Sequence, residues 1–278
     1  MKKILVPLDF TETSENAFVY AVEMAKLFKA ELVLLHTFEL PIIDSQMAVP
    51  LNYAEIYDTL QLTNSNHFKD EISKLRIIAK EHKAEDIVMN HIMMDGDLIF
   101  AIKEVVQDED IDFVVMGTNG ASGWFDSFIG TNTASVIADL SIPVLSVAHD
   151  SKFEKIETIG FTTCYTEKDI QALIEVLIIA KRMKAKVKCL YVKTSHSDVK
   201  GEIIHKWESH FENENNLEFL IIPSEDIEGT IEEFIVNQNI DLLAMGTHKR
   251  NIFTQFFTTS KTQKMSQHLK TPVLAIHE

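Results

Sequence analysis

The sequence predicts an α/β fold built from two tandem copies of one open, parallel-sheet domain. Short apolar runs alternate along the chain with amphipathic helical patterns. The short runs are nearly continuous in apolar residues, as burial on both faces of a parallel sheet requires. The chain also repeats itself once, so we expect two domains of one topology with helices on both faces of each sheet.

Strands and helices are predicted to alternate through the first copy, as right-handed crossover connections demand. The predicted strands are KILVPL, ELVLLHT, DIVMNHIM, DFVVMG and PVLSV. The predicted helices between them are SENAFVYAVEMAKLFK, HFKDEISKLRIIAKEH, LIFAIKEVVQDE and TNTASVIADL. Residues 38–66 contain two prolines and mixed polarity, which predicts a long loop with a short helical piece. That loop is either a surface excursion or a lid over a site.

The internal repeat aligns without gaps at two constant shifts. Residues 2–38 match residues 157–193 at a shift of 155, with Ala17 on Ala172. IDFVVMGTN matches IDLLAMGTH, and IPVLSV matches TPVLAI, both at a shift of 129. A repeat of this length indicates duplicated domains rather than solenoid units. The predicted domains are residues 1–149 and 150–278, and the extra residues of the first copy fall within its long loop.

Composition excludes several classes of protein. A length of 278 residues suits two domains, and no apolar run approaches the roughly 18 residues of a membrane helix. Asp9 interrupts the apolar start, so no signal peptide is expected and a cytoplasmic location is predicted. Cys164 and Cys189 have neither metal-ligand nor disulfide spacing. A formal charge of -16 would repel a phosphate backbone, so nucleic acid is not expected as a partner.

Two loops that follow strands carry unusual residues. Pro7-Leu8-Asp9 follows the first strand, and the segment MGTNGASGWFDSFIGT follows the fourth. Gly117 and Gly120 permit a sharp turn and close approach of a ligand. Gly130 precedes a helix whose first backbone N–H groups favour an anion. The alternative is that the glycines only make a loop and Thr131 only caps a helix. No Gly-Lys-Ser/Thr sequence of the P-loop type occurs.

These residues resemble a known family. Gly117-x2-Gly120-x9-Gly130-Thr131 is similar to the Gly-x2-Gly-x9-Gly-Ser/Thr signature of the ATP-binding universal stress proteins. ILVPLDFTETSENA and PVLSV resemble that family too, and the similarity covers essentially the whole chain. The resemblance implies an adenine-nucleotide alpha-hydrolase-like fold, with a five-stranded parallel sheet ordered 3-2-1-4-5 in each copy. That order places Asp9 and Gly117 in one crevice, where the glycines are expected to cradle ATP phosphates.

The resemblance also assigns the expected contacts with ATP. Asp9 is expected near the ribose or a bound Mg2+, while Pro7, Leu8 and Thr37 are expected around the adenine. The other expected contacts, mostly around the triphosphate, are Met116, Gly117, Asn119, Gly120, Gly130, Thr131, Asn132 and Thr133. Asn119 stands where many relatives carry a basic residue, which removes a charge-assisted hydrogen bond. His36 is predicted to pack rather than to catalyse.

The second copy departs from the motif at the positions that carry chemistry. Cys164 replaces the aspartate, and Lys249 and Thr259 replace two of the three motif glycines. A β-carbon there should obstruct the backbone path or the approach of a phosphate. The second copy is therefore predicted not to bind ATP and to act as the second half of an intrachain pseudo-dimer. Its basic loop, which includes Arg250 and Lys261, either binds another anion or is solvated surface.

Three functions follow from these observations. The first is a cytoplasmic ATP-binding protein of stress response or signalling, whose bound state changes contact with an unidentified protein partner. The second is a slow ATP hydrolase, although no catalytic set or metal-ligand cluster has the spacing of an active site. The third is a ligand-free interaction scaffold, and a homodimer is a further option for its assembly.

Overall fold

The computed structural model describes residues 1–39, 53–118, 131–149, 151–196, 199–247 and 271–277. Contacts divide the chain into two compact units, Met1–Met116 and Gly117–Glu278. The elements that begin in the first unit are β1 (Lys3–Pro7), α1 (Glu12–Phe28), β2 (Glu31–Phe38), α2 (Tyr53–Glu81), β3 (Met89–Asp95), α3 (Leu98–Asp108) and β4 (Phe113–Thr118). Those of the second are α4 (Thr131–Asp139), β5 (Val144–Ala148), β6 (Thr158–Thr162), α5 (Glu167–Met183), β7 (Lys186–Lys193), α6 (Gly201–His210), β8 (Leu217–Pro223), α7 (Ile227–Asn237), β9 (Leu242–Gly246) and β10 (Val273–Ile276).

The first unit is built on a parallel sheet in the order β3-β2-β1-β4. Its central strand β1 pairs with β2, where Pro7 is level with Leu35, and with β4, where Leu5 is level with Val114. Ile4 and Leu5 are completely buried, because helices cover both faces of a parallel sheet. The α/β class and the adjacency of the first and fourth strands are confirmed.

The second unit contains the strands β5-β10-β9-β6-β7-β8 in that order. Within the second copy, the order β8-β7-β6-β9-β10 is the predicted order 3-2-1-4-5, and all its pairs are parallel. The strand β5 comes from the first copy and pairs antiparallel with β10, where Ala275 is level with Val144. This pairing places β5 in the second unit. The boundary between residues 149 and 150 therefore stays a prediction about the repeat.

In each copy, one aspartate carboxylate accepts two backbone hydrogen bonds at the start of the central strand. Asp112 precedes β4, and its Oδ2 accepts hydrogen bonds from the backbone N–H groups of Lys2, at 2.6 Å, and Lys3, at 3.0 Å. Asp241 is its counterpart at the shift of 129 and accepts from Glu157 and Thr158, each at 2.8 Å. Each aspartate ties the start of its first strand to its fourth strand.

The two copies also share helix caps and left-handed residues. Thr11 caps α1 and Thr166 caps α5, each accepting a hydrogen bond from the backbone N–H three residues on. Both helices end at a lysine in the left-handed region, Lys29 with φ 53° and Lys184 with φ 58°. All of these counterparts are separated by 155 residues. The backbone therefore follows one path twice.

The helical piece predicted within residues 38–66 is longer than expected. Helix α2 begins at Tyr53 and continues to Glu81, so it includes all of residues 53–66 and joins the helix predicted from His67. This stretch contains neither proline nor glycine, so no residue in it interrupts a helix that continues into residues 67–81. Helix formation is cooperative, so the helix of residues 67–81 can extend back to Tyr53. Residues 40–52 lie outside the described residues. Among the described helices, none is both long and apolar enough to cross a membrane.

Gly160 marks a close approach between β6 and α7. A β-carbon at Gly160 would lie 2.7 Å from Cε1 of Phe234 and 3.0 Å from Cγ2 of Ile240. Gly160→Ala should therefore destabilise the protein by about 1 to 3 kcal/mol, measured as the free energy of unfolding in urea. Gly201→Ala is the matched control, because a β-carbon there meets open space and alanine favours the helix. Equal stability of the two variants would contradict this packing.

The lowered pKa of Asp112 predicts that the stability of the protein depends on pH. Burial by itself raises this pKa, but the N–H donors of Lys2 and Lys3, together with the positive charges of the N-terminus and Lys2, outweigh burial and lower it below 3.8. The stabilisation is thus present above pH 3.8 and is lost as pH falls through the folded-state pKa. Asp112→Asn should cost about 1 kcal/mol near neutral pH, and this cost should shrink in acid. Urea unfolding against pH measures it, with the exposed Asp86→Asn as control. A cost that is constant with pH would contradict the argument.

Candidate functional site

The candidate site lies where the parallel strands of the first unit end. Because their carboxyl ends meet at one edge of the sheet, the residues that follow them share that edge. Leu8 and Met116 are buried there, each 4% exposed, whereas Asp9 is exposed and Thr37 is partly exposed. Pro7 ends β1 and is buried. The register of β1 with its two neighbours brings these five predicted residues to the same end of the sheet.

Asp9 shapes the loop between β1 and α1. Its Oδ1 accepts a hydrogen bond from the Thr11 hydroxyl at 2.5 Å and from the Thr11 backbone N–H at 3.2 Å. Thr11 in turn accepts a hydrogen bond from the N–H of Ser14 and so begins α1. Asp9 therefore holds the cap of α1 while its side chain stays exposed at the edge of the sheet. A carboxylate held in this way is ordered before any ligand arrives.

An aromatic cluster closes one side of this edge. Phe10 adopts φ 63°, a conformation that is rare for residues other than glycine, and stacks on His36 with ring centroids 4.0 Å apart. Phe68 of α2 lies 5.7 Å from His36 and 6.2 Å from Phe10. Nδ1 of His36 lies 2.9 Å from the Leu8 carbonyl oxygen and must donate, because a carbonyl only accepts. His36 thus packs, as predicted, and ties β2 to the loop that carries Asp9.

Glu71 is a buried acid that the sequence reasoning missed. It lies one turn after Phe68 on the inner face of α2 and is 9% exposed. Burial raises its pKa, and the charges of Glu15 and Asp9 add to this rise, while Lys74 opposes it. Lys74 forms an ion pair with Glu15. The signal was available, because Glu71 stands between buried apolar positions at helical spacing, where a charged residue is unusual.

The glycine segment is described only at its two ends. Gly117 and Thr118 end β4, and Thr118 is buried. Thr131 begins α4, where Asn132 is exposed and Thr133 is 2% exposed. The first N–H groups of a helix lack partners within that helix, as the predicted phosphate contact requires. Asn119, Gly120 and Gly130 lie outside the described residues, as do the neighbouring positions Trp124, Phe125 and Asp126.

In the second copy, the carboxylate of Asp169 accepts hydrogen bonds from the loop that follows β6. Asp169 is 3% exposed, and its Oδ2 accepts hydrogen bonds from Thr163 Oγ1 at 3.0 Å, Cys164 N at 2.9 Å and Thr166 N at 3.0 Å. Its counterpart in the first copy at the shift of 155 is Ser14. The N–H groups that follow β6 are therefore satisfied internally, and no aspartate stands at the end of that strand.

Aromatic residues close this second loop as well. Tyr165 adopts φ 57° and packs edge-on against Tyr191, with ring centroids 5.1 Å apart, and against Trp207, at 5.0 Å. These residues repeat the arrangement of the first copy with larger rings. Several basic or substituted positions of the predicted loop lie outside the described residues, namely Lys249, Arg250, Thr259 and Lys261.

Other features of the described residues do not add a competing site. No group of three or more His, Cys, Asp or Glu residues within the described ranges could hold a metal ion. Two open clefts of about 390 and 220 Å3 adjoin the end of α5. The first is lined by Lys184, Lys186 and Asn216 among others, and the second by Ile178 and Phe211. Neither contains a residue of the predicted ATP site.

Comparison with known proteins agrees with the duplicated fold. The sequence model of the universal stress protein family matches residues 1–148 and 166–277. The chain is 28% identical over 153 residues to universal stress protein MJ0577 of Methanocaldococcus jannaschii, covering 52% of this chain and 94% of that protein. It is 27% identical over 146 residues to universal stress protein YxiE of Bacillus subtilis, covering 52% of this chain and 97% of YxiE.

A solved structure shows the same fold over the full length. The crystal structure of a universal stress protein from Archaeoglobus fulgidus superposes with a TM-score of 0.73 at 18% identity. The superposition covers 99% of this chain and 96% of that one, so the fold of both copies is matched. Because the family model matches most of the sequence in two successive regions, the chain belongs to the universal stress protein family as a tandem member.

Proposed function

We propose that the chain binds ATP through its first copy and not through its second. The observation that carries this proposal is the difference at the end of the first strand of each copy. Asp9 is exposed there in the first copy, whereas Cys164 takes its place in the second and donates its N–H to the buried Asp169. The motif Gly117-x2-Gly120-x9-Gly130-Thr131 is complete in the first copy alone.

The donor set suits a nucleotide. Pro7, Leu8 and Thr37 would surround the adenine, and their mixture of buried apolar and partly exposed polar groups suits a flat, amphipathic ring. Met116 would adjoin the nucleotide from the end of β4. The residues that would surround the triphosphate are Gly117, Asn119, Gly120, Gly130, Thr131, Asn132 and Thr133. Backbone N–H groups at a glycine turn and a helix start are the donors that phosphates prefer.

Mg2+ would serve as a counterion in this site. Asp9 carries a negative charge beside the expected triphosphate, and the protein as a whole carries -16. Like charges at short range repel, so a divalent cation between the carboxylate and the phosphates would convert repulsion into attraction. The described residues hold no preformed metal site, so the cation would arrive with the nucleotide.

Binding of ATP would act on partners rather than on a substrate. The proposed biological role is nucleotide-dependent stress response or signalling in the cytoplasm, through contact with a protein partner. The second copy would contribute as half of an intrachain pseudo-dimer, supported by the antiparallel pairing of β5 with β10. Slow hydrolysis of ATP and a ligand-free scaffold are the alternatives that the experiments below separate.

A thermal melt tests the proposed ligand. When ATP exceeds Kd about a thousandfold, linkage stabilises the folded state by roughly 4 kcal/mol. The melting temperature should then rise by about 10 °C with Mg-ATP. The same titration with magnesium alone and with ATP alone separates the contribution of the cation. No rise at millimolar Mg-ATP would reject the proposal and favour the scaffold, and phosphate release over hours would reveal hydrolysis.

Substitutions of Asp9 test the role of its charge. Asp9→Asn keeps the oxygen that binds Thr11 and removes the charge, whereas Asp9→Ala removes both. Asp9→Asn should weaken Mg-ATP about tenfold, equivalent to roughly 1.4 kcal/mol, without loss of folding. Asp86→Asn is the control, because it removes the same charge from an exposed position before β3. If Asp9→Asn binds Mg-ATP as tightly as the wild type in calorimetry, the proposed role is wrong.

A further inference from the structure

His277 of the second copy caps a helix of the first copy. It follows β10, and its Nε2 lies 2.7 Å from the carbonyl oxygen of Ile137 in α4. The nitrogen donates this hydrogen bond, because the carbonyl only accepts. The last four carbonyls of a helix lack intrahelical donors, and Ile137 supplies one of them. The neighbouring carbonyl of Val136 is satisfied by Leu140 N at 3.0 Å.

The surroundings hold this imidazole in one form. The antiparallel pairing of β10 with β5 brings the end of β10 beside the strand that follows α4. Burial lowers the pKa of His277 from 6.5, although the hydrogen bonds to Ile137 and Ile142 act in the opposite direction. The ring is therefore neutral near pH 7, with its proton on Nε2. A half-buried neutral donor to a helix end is a fixed structural contact rather than a solvated surface group.

The first copy has no histidine at the position that corresponds to His277. At the shift of 129, the counterpart of His277 is Ala148, which has no side-chain donor. The second copy thus contacts α4 of the first copy with a side chain that the duplicated position of the first copy lacks. The helix that receives this contact is the one that begins at Thr131, the last residue of the intact motif.

We propose that His277 is a positioning residue for the nucleotide, because it fixes the carboxyl end of the helix whose amino end would meet the phosphates. This inference rests on the proposed ATP function. Helix α4 has 9 residues and is about 13 Å long, so it moves as a short rod. Fixing one end limits the tilt at the other, and hydrogen bonds to phosphate weaken with small displacements. The second copy would then retain a role at a ligand site that it does not itself contain.

The experiment compares four proteins in calorimetry with Mg-ATP and with adenosine. His277→Ala removes the donor, and His277→Gln places an amide N–H at similar reach. His205→Ala is the control, because His205 lies on the exposed face of α6 with its side chain 82% exposed. His277→Ala should weaken ATP about threefold to tenfold, as expected for one lost hydrogen bond, and leave adenosine unchanged. His277→Gln should recover most of the ATP affinity.

Amide hydrogen exchange without nucleotide gives an independent readout. The amides of Val136 to Leu140 should exchange faster in His277→Ala than in the wild type, His277→Gln or His205→Ala. Equal weakening of ATP and adenosine, or unchanged ATP affinity with unchanged exchange, would overturn the proposal. If His277→Ala does not fold, His277→Leu replaces it, since leucine keeps the volume and lacks the donor.

Failure of the proposed function would remain distinguishable from failure of this inference. If the wild type binds no ATP, the proposed function is wrong. Amide hydrogen exchange alone then tests whether His277 fixes the carboxyl end of α4. If the α4 amides exchange faster in the variant without the donor and at the wild-type rate in His277→Gln, the contact of His277 with α4 is still supported. Unchanged exchange would overturn it.

Discussion

The pairing of the first strand with the fourth in each copy is the constraint on which the rest of the structure depends. In a parallel sheet wound in the order 3-2-1-4-5, this pair is the point where the chain reverses direction across the sheet, and ligands bind at its carboxyl end. Asp112 secures the pair in the first copy and Asp241 secures it in the second, each by accepting two backbone N–H groups. A carboxylate with two such donors holds the register of the strands far from the loops that carry function, so those loops are free to change.

The loops that follow the first strand differ between the two copies. In the first copy, Asp9 shapes its own loop through Thr11 and remains exposed. In the second copy, Asp169 is buried and accepts hydrogen bonds from the Thr163 hydroxyl and from the N–H groups of Cys164 and Thr166. The framework on either side, including the caps Thr11 and Thr166, is the same. The two copies therefore share a framework and differ in the carboxylate that orders this loop, Asp9 in the first copy and Asp169 in the second. His277 of the second copy also contacts α4 of the first copy.

The edge of the first sheet has a composition that nucleotide contacts alone do not explain. Phe10 and His36 stack beneath Phe68, and Glu71 lies buried one turn further along α2. Burial raises the pKa of Glu71, and Asp9 and Glu15 reinforce that effect. The helix that follows the long loop therefore takes part in the electrostatics of Asp9.

The sequence by itself determined the fold class, the duplication and the contrast between an intact and a degenerate motif. Apolar runs, constant shifts and glycine spacing are local properties that can be read along one dimension. It also placed Pro7, Leu8, Asp9, Thr37 and Met116 at the ends of strands, which is where the structure has them. It underestimated the helix at residues 53–66, because their own propensity is weak and their helix depends on the residues that follow. Only the tertiary structure decided that Phe10 stacks on His36, that Glu71 lies near Asp9, that Asp169 closes the second loop and that His277 caps α4. These contacts join residues whose separation in the chain carries no signal, since they depend on how strands pair and helices pack.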